Sequence, residues 1–180
     1  MNKQLFFIAV ASLITTLASA TDLYVRNLGA GGAYATVSAA IAAASDGDRI
    51  IIKPKTSGTG AYVENLTINK SLTFVSETIY NRYFIQGTIN ITPQAGRVVT
   101  ISGLSSGNFT IYNVTVSAAT TGGRTTVNLY NCFLNNVDTT QANTTTNMSG
   151  CTVSGYVFFS HGRITGNNIQ RINAYNTSVD

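Results

Sequence analysis

The chain has 180 residues, of which 10% are charged, and its formal net charge is +4 at pH 7. It has no tryptophan and only two prolines, but it is rich in Asn, Thr, Ser and Gly, a composition that argues against a helical bundle and favours many short strands joined by turns. The basic residues form no cluster, which argues against nucleic acid as a partner.

The first 20 residues, MNKQLFFIAVASLITTLASA, have the features of a secretory signal peptide. Lys3 precedes an apolar run, and the small-x-small sequence ASA follows, ending at Ala20. At about 13 residues the run is shorter than the roughly 20 that a membrane-spanning helix needs. We predict a signal peptide over residues 1–20 and a mature chain that starts near Thr21. The protein is then a bacterial one that is secreted or on the cell surface, with the periplasm as an alternative and no membrane span.

One short amphipathic helix is predicted between residues 35 and 44, where apolar side chains fall at helical spacing. The sequence SDGD ends it, and Gly47 can adopt the left-handed conformation that closes a helix. Together with a preceding strand, this helix forms an N-terminal unit of residues 21–48.

After residue 48 the helical period disappears, and short apolar segments with a period of two recur at steps of roughly 15 to 27 residues. These segments are RIIIK (49–53), SLTFV (71–75), VVTI (98–101), NVTV (113–116), NCFL (131–134), GCTV (150–153) and GNNI (166–169). Repeats of this length are typical of solenoids, because each unit buries its inner face only against the next. Stacking predicts two interior columns, the first of Val114, Cys132 and Cys151, and the second of Val116, Leu134, Val153 and Ile169.

We therefore predict an all-β fold, a right-handed parallel β-helix over residues 49–180 with a short N-terminal capping α-helix. A helix laid across the first turn would cover the apolar end that a β-helix exposes there. The C-terminal sequence QRINAYNTSVD continues the repeat pattern without a second cap. This predicts either end-to-end self-association or membership of a longer parent protein.

Cys132 and Cys151 are predicted to lie one turn apart, with backbones about 4.8 Å from each other. That separation allows a disulfide, and export permits oxidation. Side chains stacked in register point the same way, however, so buried thiols are favoured over a bridge.

The run GAYATVSAAIAAASDGDRIIIKPKTSGTGAYVENLTINKSLTFVSE resembles the opening of pectin-lyase-fold proteins. Its Y-x-T-V helix start, its Y-x-E-x-L-x-I segment and its L-T-F-V segment are most similar to those of pectinesterases. The resemblance covers about 45 residues that nearly every protein of this fold shares. It implies the β-helix fold far more than it implies any activity.

A second resemblance concerns the catalytic residues of pectinesterases. In that family one turn carries Gln-Asp-Thr, whose Asp is the general acid, and the next carries Gly-x-Val-Asp-Phe, whose Asp is the nucleophile. Here YNCFLNNVDTT places Asp138 and Thr139 one residue short of the family spacing, with Val137 in place of Gln. SGYVFFSHG places Phe158 at the nucleophile position, where the carboxylate is lost.

Other candidate catalytic residues are few. Arg163 and Arg171 are counterparts of the family's arginine by proximity alone. His161, in the sequence SHGRI, is either a catalytic base or, as we favour, an exposed corner residue. The acidic residues are too scattered to hold the calcium of a pectate lyase. Asp138, Arg163 and His161 remain the weak catalytic candidates, and we predict no metal or cofactor.

Tyrosines on the outer face of a β-helix can stack on sugar rings, while neighbouring Asn and Thr bond the hydroxyls. The candidates for such contacts are Tyr112, Tyr130, Tyr156 and Tyr175, with Phe158 and Phe159 nearby. We predict a non-catalytic β-helix protein that binds a pectin-like polysaccharide or acts as a structural or adhesive rod. The alternative is a pectinesterase-like or polysaccharide-lyase enzyme, possibly truncated.

Overall fold

The computed structural model describes residues 19–56, 60–106, 113–116, 123–141 and 143–175. It contains an α-helix, α1 (Val37–Ala43), and a short 3-10 segment at Asn27–Gly32. The strands are β1 (Asp22–Val25), β2 (Arg49–Ile52), β3 (Ala61–Val63), β4 (Leu66–Ile68), β5 (Thr73–Ser76), β6 (Tyr83–Gln86), β7 (Ile89–Ile91), β8 (Val98–Ser102), β9 (Leu104–Ser105), β10 (Asn113–Val116), β11 (Thr125–Tyr130), β12 (Phe133–Leu134), β13 (Asn136–Thr139), β14 (Thr144–Ser149), β15 (Thr152–Phe159), β16 (His161–Thr165) and β17 (Asn168–Ala174).

The strands form two sheets in which the neighbours are parallel. One sheet has the order β1-β2-β5-β8-β11-β14-β16, and the other has the order β3-β6-β9-β12-β15-β13-β10-β7-β4, with β17 paired to β15. Strands distant in sequence are therefore neighbours in space; for example, Ile50 lies opposite Leu23 on one side and Phe74 on the other. The predicted all-β class is confirmed, and the parallel sheets are compatible with a parallel β-helix.

Alternation along each strand sends every second side chain inward. One inward column crosses the seven-stranded sheet and consists of Leu23, Ile50, Phe74, Ile101, Leu129, Met148 and Ile164. Fully burying such a side chain stabilises the fold by about 1.5–3 kcal/mol. Column packing of this kind explains why the β-branched and apolar residues recur with a period of two.

The predicted register is wrong for one residue in each interior column, Val114 in the first and Val116 in the second. Leu134 lies opposite Val153, and Val153 lies opposite Ile169, as predicted. Val114, however, lies opposite Ile89 and Val137, so it is not in the column of the two cysteines. The segment around Val114 shares its alternation with several strands of a repeat, and alternation alone does not specify which of them is its partner.

Val116 does not belong to the second column, because it lies opposite Ile91 rather than Leu134.

In the last strand, β17, Ile172 lies opposite the buried Val157, yet it is 50% exposed.

Helix α1 forms where the sequence predicts it. The side chain of Thr36 accepts a hydrogen bond from the Ala39 amide at 3.1 Å and so caps the first turn. Val37, Ala40 and Ile41 are buried, and the helix packs against β1, β2 and β4.

Two charged side chains that flank β4 hold the two ends of α1. The Glu64 carboxylate accepts hydrogen bonds from the amides of Val37 and Ser38, each at 2.9 Å. The Lys70 ammonium donates to the carbonyls of Ile41 and Ala42, each at 2.9 Å. The negative charge thus meets the positive end of the helix dipole, and the positive charge meets the negative end.

The polar sequence SDGD after the helix also has a structural role. Gly47 has φ of 92°, a conformation that other residues adopt at a cost. The Asp48 carboxylate is nearly buried and accepts hydrogen bonds from the amides of Thr21, at 2.8 Å, and Ser45, at 2.7 Å. Asp48 therefore ties the start of β1 to the segment that leads into β2.

Replacement of Glu64 by Ala is expected to lower the free energy of unfolding by about 1–2 kcal/mol, because two helix amides lose a charged acceptor. Denaturant titration of purified protein measures this change. Asp138→Ala is the matched control, since it removes the same charge from a carboxylate whose described hydrogen bonds are both with Thr140. Equal destabilisation by the two substitutions would contradict the role of Glu64.

Acid sensitivity is expected to depend on Asp48. Hydrogen bonds from the amides of Ser45 and Thr21 lower the pKa of this carboxyl below its ordinary value. A group with a lowered folded-state pKa stabilises the protein above its unfolded pKa, near 4, and that contribution is lost as the pH falls through the folded value. Thermal unfolding between pH 2 and pH 7 should therefore show a shallower acid loss for Asp48→Asn than for the wild type. Parallel profiles for the two proteins would count against this role.

Candidate functional site

Asp138 lies on the outer face of the ten-stranded sheet, since its neighbours in β13, Val137 and Thr139, are buried. Its carboxylate accepts hydrogen bonds from the Thr140 hydroxyl, at 2.9 Å, and from the Thr140 amide, at 3.2 Å. In the parallel ladder it lies opposite Phe158.

The other two catalytic candidates lie on the outer face of the other sheet. In β16, His161 is opposite Thr145 and Arg163 is opposite Asn147. The His161 ring nitrogen Nδ1 is 3.2 Å from the Ser160 hydroxyl. Asp138, His161 and Arg163 are therefore divided between two sheets, and the fold does not assemble them into one site.

His161 is part of a strand, so the prediction of a corner residue is wrong. The adjacent Gly162, which suggested a turn, has φ of 136° and lies against the backbone of Thr146. A Cβ at this glycine would lie 1.8 Å from the Thr146 carbonyl oxygen. Glycine is required at position 162 because the two strands approach too closely to leave room for a Cβ. It does not mark a turn.

Phe158 is the centre of a group of three aromatic side chains, which we call the aromatic cluster: Tyr156, Phe158 and Tyr175. The Tyr156 and Phe158 ring centroids are 5.4 Å apart with an interplanar angle of 11°. The Phe158 and Tyr175 centroids are 5.8 Å apart at 46°. Because Tyr175 is tilted against Phe158 rather than stacked on it, these two rings do not cover each other's full faces.

Arg171 completes the cluster on the side of Tyr156. It lies opposite Tyr156 in the ladder, its guanidinium carbon is 5.3 Å from the Tyr156 ring centroid, and it donates a 3.0 Å hydrogen bond to the Tyr156 hydroxyl. This combined cation–π and hydrogen-bond contact fixes a positive charge at the edge of the aromatic surface.

The cluster is accessible and is bordered by polar groups. Tyr156 is 38% exposed and Tyr175 is 49% exposed. Phe158 lies between Asp138 and Asn173 in the ladder. The surface therefore combines exposed rings, one cation, one carboxylate and one amide.

The remaining tyrosine candidates do not join this surface. Tyr130, 37% exposed, belongs to β11 of the seven-stranded sheet, where it lies opposite Ser102 and Ser149. Tyr112 lies outside the described residues. Sequence reasoning considered Arg171 only as a catalytic arginine, because nothing local in the sequence indicates that it lies against Tyr156.

The two cysteines are buried free thiols, as favoured by the sequence. The Cys132 thiol donates to the Tyr130 carbonyl at 3.3 Å, and the Cys151 thiol donates to the Leu129 carbonyl at 3.3 Å. A hydrogen bond with Cys151, together with burial, raises the pKa of the Cys132 thiol well above its ordinary value. The Cys132 thiol therefore stays protonated and is a poor nucleophile.

Two open grooves lie away from the aromatic cluster. One, of about 590 Å³, runs beside β1 and the 3-10 segment, and the other, of about 410 Å³, lies beside the loop after β5.

Over the described ranges, no group of three or more His, Cys, Asp or Glu side chains is placed to hold a metal ion. Within the same ranges no helix has the length and apolarity needed to cross a membrane.

Comparison of the chain with models of known protein families, with curated proteins and with solved structures finds no significant match.

Native protein is expected to resist alkylation at both cysteines, whereas unfolded protein takes up two equivalents of iodoacetamide. Burial of both thiols is the reason. Intact mass spectrometry before and after denaturation, without reductant, measures the uptake. Protein that takes up none after denaturation would contain a disulfide and would contradict this arrangement.

Proposed function

We propose that this chain is a secreted or cell-surface parallel β-helix protein that binds polysaccharide through the aromatic cluster and Arg171. The observation that carries the proposal is the contact of three aromatic side chains on one outer face, flanked by a guanidinium. Export is inferred from the N-terminal sequence alone.

The finer fold in this proposal is a right-handed β-helix of the pectin-lyase type, with α1 as its N-terminal cap. Two features support it. Strands pair in parallel with strands from the next repeat, which is how a solenoid buries its core. The buried face of α1 packs against β1, β2 and β4, at the end of the sheets where a cap is needed.

The chemistry of the cluster suits a sugar polymer. Aromatic rings contact the apolar C–H faces of pyranose rings, while flanking polar groups bond the hydroxyls. Asn173 and Asp138, on either side of Phe158, are in position to supply such bonds. Arg171 favours a polymer that carries carboxylates, because a guanidinium pairs with a carboxylate through two hydrogen bonds.

Binding is a better inference than ester hydrolysis. A two-carboxylate mechanism needs one ionised carboxylate to attack and one protonated carboxylic acid to assist the leaving group. Opposite Asp138, the ladder has Phe158 and then Asn173, and neither is a carboxylate. Asp138 is therefore assigned to polar contact with the ligand.

The test is affinity electrophoresis of the chain from Thr21 to Asp180 in gels that contain polysaccharides, including pectins of high and low methylation. Tyr156→Ala combined with Tyr175→Ala is expected to raise the apparent Kd about tenfold or more, the equivalent of about 1.4 kcal/mol. Tyr130→Ala is the matched control, because its exposure is close to that of Tyr156 but it lies on the other sheet. Arg171→Gln should weaken binding of the low-methylated pectin more than that of the high-methylated one.

Circular dichroism and the Tm of each variant check that the fold is retained. Retardation that the cluster variants leave unchanged would overturn the assignment of the surface. Absence of retardation in every gel would overturn polysaccharide binding and favour a structural or adhesive rod, with the exposed Ile172 at the C-terminal end as a contact surface.

A further inference from the structure

Thr21 is held in place by both of its backbone polar groups. Its amide nitrogen donates to Asp48 Oδ1 at 2.8 Å, and its carbonyl oxygen accepts from the Arg49 amide at 2.9 Å. Ser19 and Ala20, directly before it, are exposed and lie outside any helix or strand. Thr21 is therefore the point at which the exposed N-terminal segment joins the ordered ladder.

Asp48, the partner of Thr21, is a nearly buried carboxylate without a cation. It is 6% exposed, and its second oxygen accepts from the Ser45 amide at 2.7 Å. The salt bridges of the described residues are those between Arg26 and Glu77 and between Arg49 and Asp22, so Asp48 is in neither. A buried charge that only neutral donors satisfy is less stable than one that a cation also faces.

Lys70 is the lysine that influences this carboxylate, but its ammonium is engaged elsewhere. It lowers the pKa of Asp48 only as the last of several causes. Its three hydrogen bonds go to the carbonyls of Ile41, Ala42 and Ala44 at the end of α1. Lys70 therefore does not neutralise Asp48 directly.

The predicted signal-peptide cleavage site falls at this point. The sequence ASA places the cut after Ala20, and the peptide nitrogen released by that cut is the atom that already contacts Asp48. We propose that cleavage between Ala20 and Thr21 creates an α-ammonium group on this exposed residue, which forms an ion pair with the nearly buried Asp48 carboxylate and thereby locks the first strand in place. The inference rests on the export part of the proposed function and not on polysaccharide binding.

The reaction is hydrolysis of one amide bond by a signal peptidase. Water adds across the bond between the Ala20 carbonyl carbon and the Thr21 nitrogen, and the carboxylate leaves with Ala20. The Thr21 amine takes up a proton at neutral pH, because an α-amino group ordinarily has a pKa of about 7.7–8.0. A neutral donor is thus replaced by a cation on the same atom.

The position of the cut determines whether this pair forms. Consecutive Cα atoms are about 3.8 Å apart. A cut one residue earlier would place the charge on Ala20 and leave Thr21 with its neutral amide. A cut one residue later would remove Thr21 and, with it, the hydrogen bond to the Arg49 amide.

The test compares three forms of the chain ending at Asp180: one that starts at Thr21 with a free amine, one that starts at Thr21 with an acetylated amine, and one that retains Ala20. All three can be prepared from a fusion protein and compared by thermal unfolding. We expect the free-amine form to have a Tm several degrees above those of the other two at pH 6.5. Equal Tm values would overturn the ion pair.

The pH dependence separates this pair from other effects of the N-terminus. The carboxylate raises the folded-state pKa of the amine, so its stabilisation is complete below the unfolded pKa of about 8 and is lost as the pH rises through the folded value. The difference in Tm between free and acetylated forms should therefore vanish by about pH 10. It should also be absent in Asp48→Asn, and a difference that persists there would overturn the proposal.

Two further measurements do not depend on the folding of a variant. Titration of the α-amine, with selective ¹⁵N labelling of threonine, should give a pKa above the ordinary value, and an unshifted pKa would overturn the pair. The exported full-length chain should have a mass that corresponds to Thr21 as its first residue, and any other first residue would overturn the cleavage site. Polysaccharide retardation involves the opposite end of the fold, so the two proposals can fail independently.

Discussion

The register of the parallel ladder is the constraint on which the other features of this chain depend. A strand displaced by one residue would turn its whole apolar set outward, so the interior column from Leu23 to Met148 holds each strand in one alignment. Close strand contacts reinforce that alignment. Gly162 faces the Thr146 backbone at a distance that admits no Cβ. Once the inward side chains are placed, the identity of the outward ones follows.

The aromatic cluster is a product of this register. Phe158 and Tyr156 share an outer face because they are two residues apart in β15, and Arg171 reaches Tyr156 because β17 pairs with β15. The pairing shifts by one residue between Val153 and Tyr156. Such a bulge redirects side chains, and here it aligns Arg171 with Tyr156 and Ile172 with Val157. Phe158, the residue opposite Asp138, is thus the central ring of the aromatic cluster.

Charged residues are few, and three of those near the N-terminal end, Glu64, Lys70 and Asp48, bind backbone groups. Glu64 and Lys70 satisfy the free amides and carbonyls of α1, and Asp48 satisfies the amides of Thr21 and Ser45. A short helix leaves a large share of its backbone groups without intrahelical partners. Side chains from neighbouring segments therefore decide whether seven residues remain helical. The start of β1 is stabilised in the same way, by the Asp48 carboxylate that accepts from the Thr21 amide.

The sequence by itself determined the all-β class, the parallel pairing of the strands, the position of α1 and the column of Leu134, Val153 and Ile169. These features depend on the alternation of apolar residues, on the spacing of the apolar segments and on the residues that begin and end a helix, all of which act over short stretches of sequence. Only the tertiary structure decided that Val114 pairs with Val137, that His161 belongs to a strand, and that Tyr156 and Tyr175 meet through Phe158 beside Arg171 while Tyr130 lies on another sheet. The physical reason is that alternation sets which side of a strand faces inward, whereas the partner of each strand is set by long-range packing among several strands with the same local pattern.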